Sequence, residues 1–328
     1  MTSRDVASAA GVSQTTVSFV LNGRDDQGIS AETRDHVLAK ARALGYVPSA
    51  AARSLRTGTS GVVLVLLPDM PVTHAMEEFK VELSTALARS DLSCVYFHQS
   101  DERQRSDTEL WQQVNPAVVV AFGHLDSVST AALDRAGVPL IDDVFGSKSV
   151  DHIGLDQSAI STLQVRHLVA KGHQRIAYAS PSDSREARFS EPRLEGARRA
   201  CAEAGVDLVA VRSSEVRRED AREAVDEMMR THTTAVAAYN DLIALSIIDS
   251  CRERSLAVPT DLAVIGVDDL AVSSLVQPRL TTVAFGLGAY AAHLASTIVT
   301  RLPFVRSVDT HDTGRPAELL SVIERQST

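Results

Sequence analysis

The stretch DVASAAGVSQTTVSFVLN, residues 5–22, decides how the N-terminal part of this chain folds. Its first half places apolar side chains on one face of a short helix, namely Val6, Ala7 and Ala10. Gly11 suits a tight turn because glycine adopts the left-handed backbone at helix ends at no steric cost. Ser13 can cap a second helix that begins at Gln14. The sequence therefore predicts two helices joined by a turn, the helix-turn-helix pattern.

The second of these helices divides into two faces. Three apolar side chains can point inward: Val17, Val20 and Leu21. The opposite face carries Gln14, Thr15, Ser18 and Phe19. Amide and hydroxyl groups can hydrogen-bond to base edges, and a phenylalanine ring can pack on the methyl group of thymine. The same geometry also fits a three-helix bundle that binds protein, so the residues alone leave DNA and protein open as partners.

A third helix is predicted from Ser30, its cap, to about Leu44, with Gly45 as its stop. Pro48 then breaks the chain. The residues that follow, 49–56, could form two further helical turns before a flexible joint rich in glycine and threonine.

After Gly61 the sequence changes to a βαβ rhythm. Short apolar runs begin at Val62, Cys94, Ala117 and Val138, and a second series begins at Arg175, Val206, Thr234 and Leu262. Uninterrupted apolar strands are typical of a parallel sheet that is covered on both faces. Two such series predict two α/β lobes. Ligands of such lobes bind beyond the carboxyl ends of the strands, here in the cleft between the lobes.

Composition and charge limit the class of protein. The 328 residues suffice for two or three domains, and 44% hydrophobic with 23% charged residues excludes a disordered chain, a collagen and a coiled coil. Residues 1–60 carry seven basic and five acidic side chains, whereas the remainder carries 26 and 37. A basic head on an acidic body is a weak indication of nucleic-acid binding. With no bilayer-length apolar run and no signal peptide, we expect a cytoplasmic protein without a membrane partner.

Motifs for catalysis or metal binding are lacking in the sequence. Cys94, Cys201 and Cys251 are far apart and show no CxxC spacing, which favours three reduced thiols. His167 and His173 do not have the spacing of a metal-binding pair. The sequence also lacks a glycine-rich phosphate loop, a GxSxG elbow and an HExxH motif. We therefore expect that the protein is not an enzyme and that it binds neither a metal nor a cofactor.

Short motifs occur in a defined order and spacing along both parts of the chain. In the head these are Asp5-Val6-Ala7, Ala10-Gly11-Val12-Ser13, Thr16-Val17-Ser18, Leu21-Asn22, Ser30-x-x-Thr33-Arg34 and Gly45-Tyr46-x-Pro48. In the body they are His167-Leu168-x-x-x-Gly172-His173, Arg193-Leu194-x-Gly196, Asn240-Asp241, Gly266-x-Asp268-Asp269 and Pro278-x-Leu280-Thr281-Thr282. In order and spacing the chain resembles the LacI/GalR family of bacterial repressors over its whole length.

The resemblance implies an α/β protein with an N-terminal all-α helix-turn-helix head and a hinge helix. These are joined to a bilobal, periplasmic-binding-protein-like body with two parallel sheets. The head would be residues 1–48, and the hinge helix and linker residues 49–60. The N-terminal lobe would comprise residues 61–157 plus about 286–314, and the C-terminal lobe residues 158–285 plus about 315–328.

The resemblance also implies a sequence-specific transcriptional regulator, expected to be a repressor, that binds a pseudo-palindromic operator as a homodimer or higher oligomer. The DNA-binding residues would be Ser13, Gln14, Thr15, Thr16, Ser18, Phe19, Asn22, Arg53 and Leu55. Leu55 would act as an apolar wedge in the minor groove. Relatives usually carry an arginine where this chain has Phe19, so the base read there is open. The alternative is that Phe19 packs into the core of the head.

A small-molecule effector, a sugar or a related metabolite, is implied for the cleft between the lobes. Asp143, Arg193, Asn240 and Asp268 fall on family positions that line it, although a structural ion pair is the alternative for Arg193 and Asp268. Aromatic residues make up only 4% of the chain, so the sequence does not indicate a platform for sugar stacking. His74 is interpreted as a solvated loop residue. The competing class, a plain sugar receptor, is disfavoured by residues 1–60.

Overall fold

The computed structural model describes residues 1–21, 27–46, 60–99, 111, 113–144, 156–213, 217–302 and 320–328. The chain divides into two compact units. One comprises Met1–Gly61 and Val114–Pro116, and the other Val62–Gln113 and Ala117–Thr328. The finer boundaries expected within the body stay predictions.

The described residues of the first unit form three helices: α1 (Ser3–Ala10), α2 (Gln14–Leu21) and α3 (Ala31–Ala43). Thr2 caps α1 in a capping box, in which the Thr2 backbone N–H donates to the Asp5 carboxylate at 2.7 Å. Gly11 ends α1 with a left-handed φ of 64°. The three helices enclose one apolar cluster, formed by Val6, Ala7, Ala10, Val17, Val20, Val37 and Ala41. The predicted helix-turn-helix arrangement is confirmed.

The second unit contains a four-stranded sheet whose neighbouring strands are all parallel, in the order β2-β1-β3-β4. Its strands are β1 (Val62–Leu67), β2 (Ser93–His98), β3 (Val118–Ala121) and β4 (Leu140–Ile141). Helices α4 (His74–Ala88) and α10 (Leu287–Thr300) cover one face, through side chains such as Phe79, Leu83, Tyr290 and Leu294. The other face packs against Trp111 and against Leu133 of α5 (Ser127–Ala136). The apolar strands are thus buried on both sides.

The same unit contains a six-stranded sheet in the order β10-β9-β8-β7-β5-β6. Its strands are β5 (Arg175–Pro181), β6 (Asp207–Ser213), β7 (Ala235–Ala238), β8 (Ala263–Val267), β9 (Thr281–Phe285) and β10 (Leu320–Ile323). Helices α6 (Gln157–Ala170) and α7 (Ala187–Ala204) cover one face, and α8 (Arg218–Arg230) and α9 (Asp241–Glu253) the other. The two predicted sheets are confirmed, with one difference in detail: β10 runs antiparallel to β9 at the sheet edge.

The loops that leave the carboxyl ends of these strands carry the residues of the candidate site. Met70 and Thr73 follow β1, whereas Tyr239 follows β7 and Asp268 follows β8. The turn after β8 has left-handed backbone at two successive residues, Asp268 (φ 106°) and Asp269 (φ 49°). No helix among the described residues is long and apolar enough to cross a bilayer.

Candidate functional site

The start of α2 is fixed by a local hydrogen-bond pair. The Ser13 hydroxyl accepts from the Thr16 backbone N–H at 3.0 Å and lies 2.8 Å from the Thr16 hydroxyl. Ser13 therefore caps α2, as its sequence position predicts. Both hydroxyls are engaged within the helix end, so any contact of theirs with DNA has to coexist with this cap.

The inner face of α2 is the one that the sequence predicts. Val17 and Val20 are buried, and Leu21 packs against the same cluster. On the outer face, Gln14, Thr15 and Ser18 are exposed and Phe19 is half-buried. Phe19 is not a member of the apolar cluster of this unit. Within the described part of the head, the packing thus gives no support to the alternative that Phe19 belongs to the core, and its role on DNA stays a prediction.

The Gln14 side chain has a partner within its own unit. Its amide nitrogen donates to the hydroxyl of Ser3 on α1 at 2.8 Å. Asn22, Arg53 and Leu55 lie outside the described residues, so their predicted roles on DNA stay predictions.

The second unit contains a cleft at the loops that follow the strands of both sheets. It encloses about 610 Å³ of space not filled by protein, including its mouth. The lining residues are Met70, Thr73, Ala75, Met76, Phe79, Gln157, Phe189, Arg193, Tyr239, Asn240, Asp268, Phe285 and Leu287. Three of the four residues predicted to bind effector, Arg193, Asn240 and Asp268, are thereby brought together.

Two hydrogen bonds and one contact with an aromatic ring fix the side chain of Arg193. Its side chain is buried, and its Nε donates to the Gln157 amide oxygen at 2.9 Å. One terminal nitrogen donates to the Tyr239 backbone carbonyl at 2.7 Å, and the guanidinium lies 4.5 Å from the centre of the Tyr239 ring. Planar stacking and forked donation are both specific to arginine. Gln157 begins α6 and Tyr239 follows β7, and neither was predicted as a site residue.

Asn240 and Asp268 are positioned by the helix and turn that carry them. The Asn240 side-chain oxygen accepts from the Ile243 backbone N–H at 2.9 Å and so caps α9. The Asp268 backbone N–H donates to the Val283 carbonyl at 2.9 Å, which ties the loop after β8 to β9. Aspartate and asparagine tolerate positive φ better than most residues. The loop thus holds the Asp268 carboxylate in the cleft wall.

The turn that carries Asp268 is anchored by the buried Asp241. This carboxylate accepts from the Leu270 backbone N–H at 2.9 Å, and from the hydroxyls of Ser273 and Thr282 at 2.6 Å each. Burial raises the pKa of Asp241, against the lowering effect of these hydrogen bonds. A Cβ at Gly266 would lie 2.1 Å from an Asp241 oxygen, so only glycine fits at that strand position. Asp241 belongs to a motif that the sequence analysis quoted, but its anchoring role was missed.

Four aromatic side chains line the cleft: Phe79, Phe189, Tyr239 and Phe285. The low aromatic content of the sequence did not indicate this lining, and a role of these rings as a stacking platform stays a proposal. Low aromatic content over the whole chain does not tell where the few aromatic residues lie. Phe79 also packs edge-on against Phe122, with ring centres 5.6 Å apart, which fixes its orientation.

Two other candidates lie apart from the cleft lining. The Asp143 carboxylate accepts from Arg188 at 2.9 Å, and Asp143 is not a lining residue, so its ligand role stays a prediction. His74 is exposed, as its interpretation as a solvated residue predicts, but the expected loop position is wrong because His74 begins α4. Its neighbour Thr73 caps that helix and lines the cleft.

Cys94, Cys201 and Cys251 are free thiols, and burial raises the pKa of Cys201 and of Cys251 to about 11.

Both parts of the chain match known protein families. Residues 2–49 match the description "Bacterial regulatory proteins, lacI family", and residues 165–328 match "Periplasmic binding protein-like domain". The transcriptional regulator reg1 of Streptomyces lividans is 32% identical over 306 residues, covering 86% of this chain and 85% of that protein. The transcriptional regulator GalR of Escherichia coli is 30% identical over 314 residues, covering 92% and 90%.

Solved structures show the same fold. The lac repressor dimer bound to operator and an anti-inducer superposes with a TM-score of 0.76 at 24% identity. That superposition covers 100% of this chain and 99% of the other. A complex of the transcriptional regulator CelR with cellobiose gives a TM-score of 0.64 at 24% identity, with both chains covered completely.

Proposed function

Because this chain belongs to the lacI family of bacterial regulatory proteins and is a DNA-binding transcriptional regulator, we propose that it is a dimeric repressor controlled by a small molecule. One observation carries the proposal. A helix-turn-helix with an exposed outer face on α2 is joined, in one chain, to a body whose cleft contains Arg193, Asn240 and Asp268. A repressor needs one surface for operator DNA and a separate site for its effector.

On the DNA side, we propose that α2 enters the major groove of a pseudo-palindromic operator, with Ser13, Gln14, Thr15, Thr16, Ser18 and Phe19 near the bases or phosphates. Asn22, Arg53 and Leu55 complete the predicted contact set. Leu55 would open a central base step as an apolar wedge. Operator binding and the absence of catalytic motifs from the sequence favour a cytoplasmic protein without enzymatic activity.

In the cleft, we propose a sugar or related metabolite as effector. Arg193, Asn240 and Asp268 offer groups that bond strongly to hydroxyls. The aromatic walls formed by Phe189 and Tyr239 suit the apolar face of a pyranose ring or of an aryl substituent. The structure of CelR with cellobiose, a relative in fold, supports a carbohydrate ligand.

For the dimer contact we propose a surface on the body, termed here the α9 surface. Leu242, Val272 and Leu275 are exposed on it by 42%, 38% and 81%. They are close in sequence to the lining of a groove that contains the apolar side chains Leu245, Ile248, Leu256, Val258, Val276 and Pro278 and the polar residues Asp249, Arg252, Ser255 and Gln277. Large apolar side chains exposed together mark protein contacts, and a two-fold dimer buries the same patch on both subunits.

The experiment uses the full chain. Binding sites are selected from random duplex DNA, and the affinity of the enriched site is then measured with and without a panel of sugars and metabolites. We expect a pseudo-palindromic consensus and at least one compound that changes the affinity by about 5- to 150-fold. Equal affinity for selected and random DNA across a salt series would contradict a sequence-specific repressor.

A further inference from the structure

The outer face of α2 lacks the side chains that usually read guanine. The helix sequence QTTVSFVL contains no charged residue. Arginine and lysine are the common bidentate partners of guanine, and glutamate and aspartate accept from cytosine. Neither kind of contact can come from α2 itself, so this helix needs another source of base discrimination.

Phe19 is the largest side chain on that face. Residues three or four apart are neighbours on a helix surface, so Thr15, Ser18 and Phe19 form one contiguous patch. Thr15 and Ser18 are exposed, and Phe19 is half-buried while lying outside the apolar cluster of the unit. The Gln14 amide, at the amino end of the patch, already donates to Ser3. The patch therefore presents an apolar ring flanked by small hydroxyl side chains.

The major groove offers one apolar group that such a ring can recognise. The C5-methyl group of thymine projects into this groove, and cytosine lacks it. Burial of a methyl group against the ring is favourable, while a hydroxyl on either side tolerates a polar base edge. 5-Methylcytosine presents the same group at the same place.

We propose that Phe19 reads the C5-methyl group of a pyrimidine in the operator half-site, so that α2 discriminates thymine by its methyl group. The inference rests on the proposed function, since it requires α2 to lie in the major groove. Each operator half-site then contains a thymine whose methyl group contributes to affinity through Phe19. A 5-methylcytosine at that position substitutes for the thymine, whereas unmethylated cytosine does not.

The test begins with the consensus selected from random duplex DNA. Each thymine of the half-site is replaced singly by deoxyuridine, which removes only the methyl group. For the wild-type chain we expect replacement of the thymine read by Phe19 in one half-site to weaken binding by about fourfold. Replacement in both half-sites should weaken binding by about 15-fold, since each loses the burial of one methyl-sized group. Replacement of that base pair by 5-methylcytosine–guanine should bind more tightly than cytosine–guanine.

The variants Phe19→Ala and Phe19→Leu assign the effect to this residue. Phe19→Ala should bind the thymine and deoxyuridine sites equally, whereas Phe19→Leu, which keeps an apolar side chain, should retain part of the difference. A thymine in the flanking DNA, outside the half-sites, serves as the matched control for deoxyuridine.

The outcomes separate the two proposals. Selection that yields no consensus overturns the proposed function, and this inference with it. A clear consensus that tolerates deoxyuridine at every half-site position overturns the inference alone. The same holds if Phe19→Ala retains the full sensitivity to deoxyuridine.

Discussion

The Arg193 guanidinium stacks over the ring of Tyr239 at 4.5 Å and also donates to the backbone carbonyl of the same residue at 2.7 Å. Two contacts to one residue, from α7 to the loop after β7, fix both side chains in the cleft wall. Burial raises the pKa of Tyr239 well above its usual value, so the phenol stays neutral beside the cation. The pair therefore offers a ligand one planar cation and one aromatic face.

Arg193→Lys should damage this arrangement although it keeps the charge. An ammonium group lacks the planar fork, so it cannot contact Gln157 and the Tyr239 carbonyl while stacking on the ring. We expect the free energy of unfolding in urea to fall by about 1–3 kcal/mol, because buried acceptors lose their donor. Arg198→Lys on the same helix is the control, since Arg198 is exposed and pairs with nearby Glu195 at the protein surface. Equal stability of the two variants would contradict a positioning role for Arg193.

Asp268→Asn should separate effector response from DNA binding. The amide keeps the volume and tolerates the left-handed backbone at this position, but it loses the charge-assisted part of each hydrogen bond to a ligand hydroxyl. We expect operator affinity without effector to be unchanged, and most of an allosteric coupling of about 1–3 kcal/mol to be lost. The measurement is operator affinity across a titration with the compound identified by screening. Asp134→Asn, exposed on α5 and outside the cleft lining, should respond like wild type; a wild-type response from Asp268→Asn instead would make that residue structural.

The elements of the head could be predicted well because their signals are local. Thr2, Gly11 and Ser13 act within a few residues of their own position, and the periodicity of Val6 and Val17 already marks the inner faces. The apolar strands of the body were equally visible. Strand β9 was not, because Thr281 and Thr282 interrupt its apolar run and it is held by pairing with β8 and β10.

The cleft could be predicted only in part. Arg193, Asn240 and Asp268 stood in recognisable motifs, whereas Gln157 and Phe285 did not. Gln157 lies 36 positions from Arg193 in the chain, and their contact exists only because α6 packs on α7. Contacts that depend on tertiary packing leave no periodic signal in a single sequence.

Leu275→Arg should dissociate the dimer without unfolding the subunit. The side chain is 81% exposed, so a charge there costs the isolated subunit little, but it would be buried without a partner in a contact between two α9 surfaces. We expect the dissociation constant of the dimer, measured by sedimentation equilibrium, to rise by about tenfold or more. Val128→Arg is a matched control, because Val128 is 71% exposed on α5, away from the groove. If both variants dimerise like wild type, the dimer contact lies elsewhere.

Phe19→Arg should change which operator is preferred rather than only strengthen binding. An arginine on the outer face of α2 can donate to the O6 and N7 atoms of guanine, a contact that phenylalanine cannot make. We expect site selection with this variant to enrich guanine at a position where the wild type enriches thymine. The added charge should also steepen the salt dependence of binding. Identical consensus sites for the two proteins would exclude a base-reading role for Phe19.

Asp241→Asn should remove a pH-dependent contribution to stability. The pKa of Asp241 is raised by burial, so the folded chain binds this proton more tightly than the unfolded chain does. Its contribution to the free energy of unfolding is therefore greatest at low pH, and falls as pH rises through the folded-state pKa. An amide can accept from Leu270 and Ser273 and donate to Thr282, so the fold is retained. We expect wild-type stability relative to Asp241→Asn to decrease as pH rises above the ordinary pKa of an aspartate, about 3.9, in urea titrations at fixed protein concentration.

Glu253→Gln provides a control of opposite sign for the same titrations. Hydrogen bonds from Arg222 lower the pKa of Glu253, so this carboxylate contributes stability above its unfolded-state pKa and loses it as pH falls. Wild-type stability relative to Glu253→Gln should therefore increase as pH rises toward the unfolded-state pKa of about 4.3 and stay level above it, whereas the Asp241 difference decreases as pH rises above about 3.9. The same direction of change for both variants would show that Asp241 titrates as an ordinary paired carboxylate. Its burial beneath the Asp268 turn would then not govern its protonation.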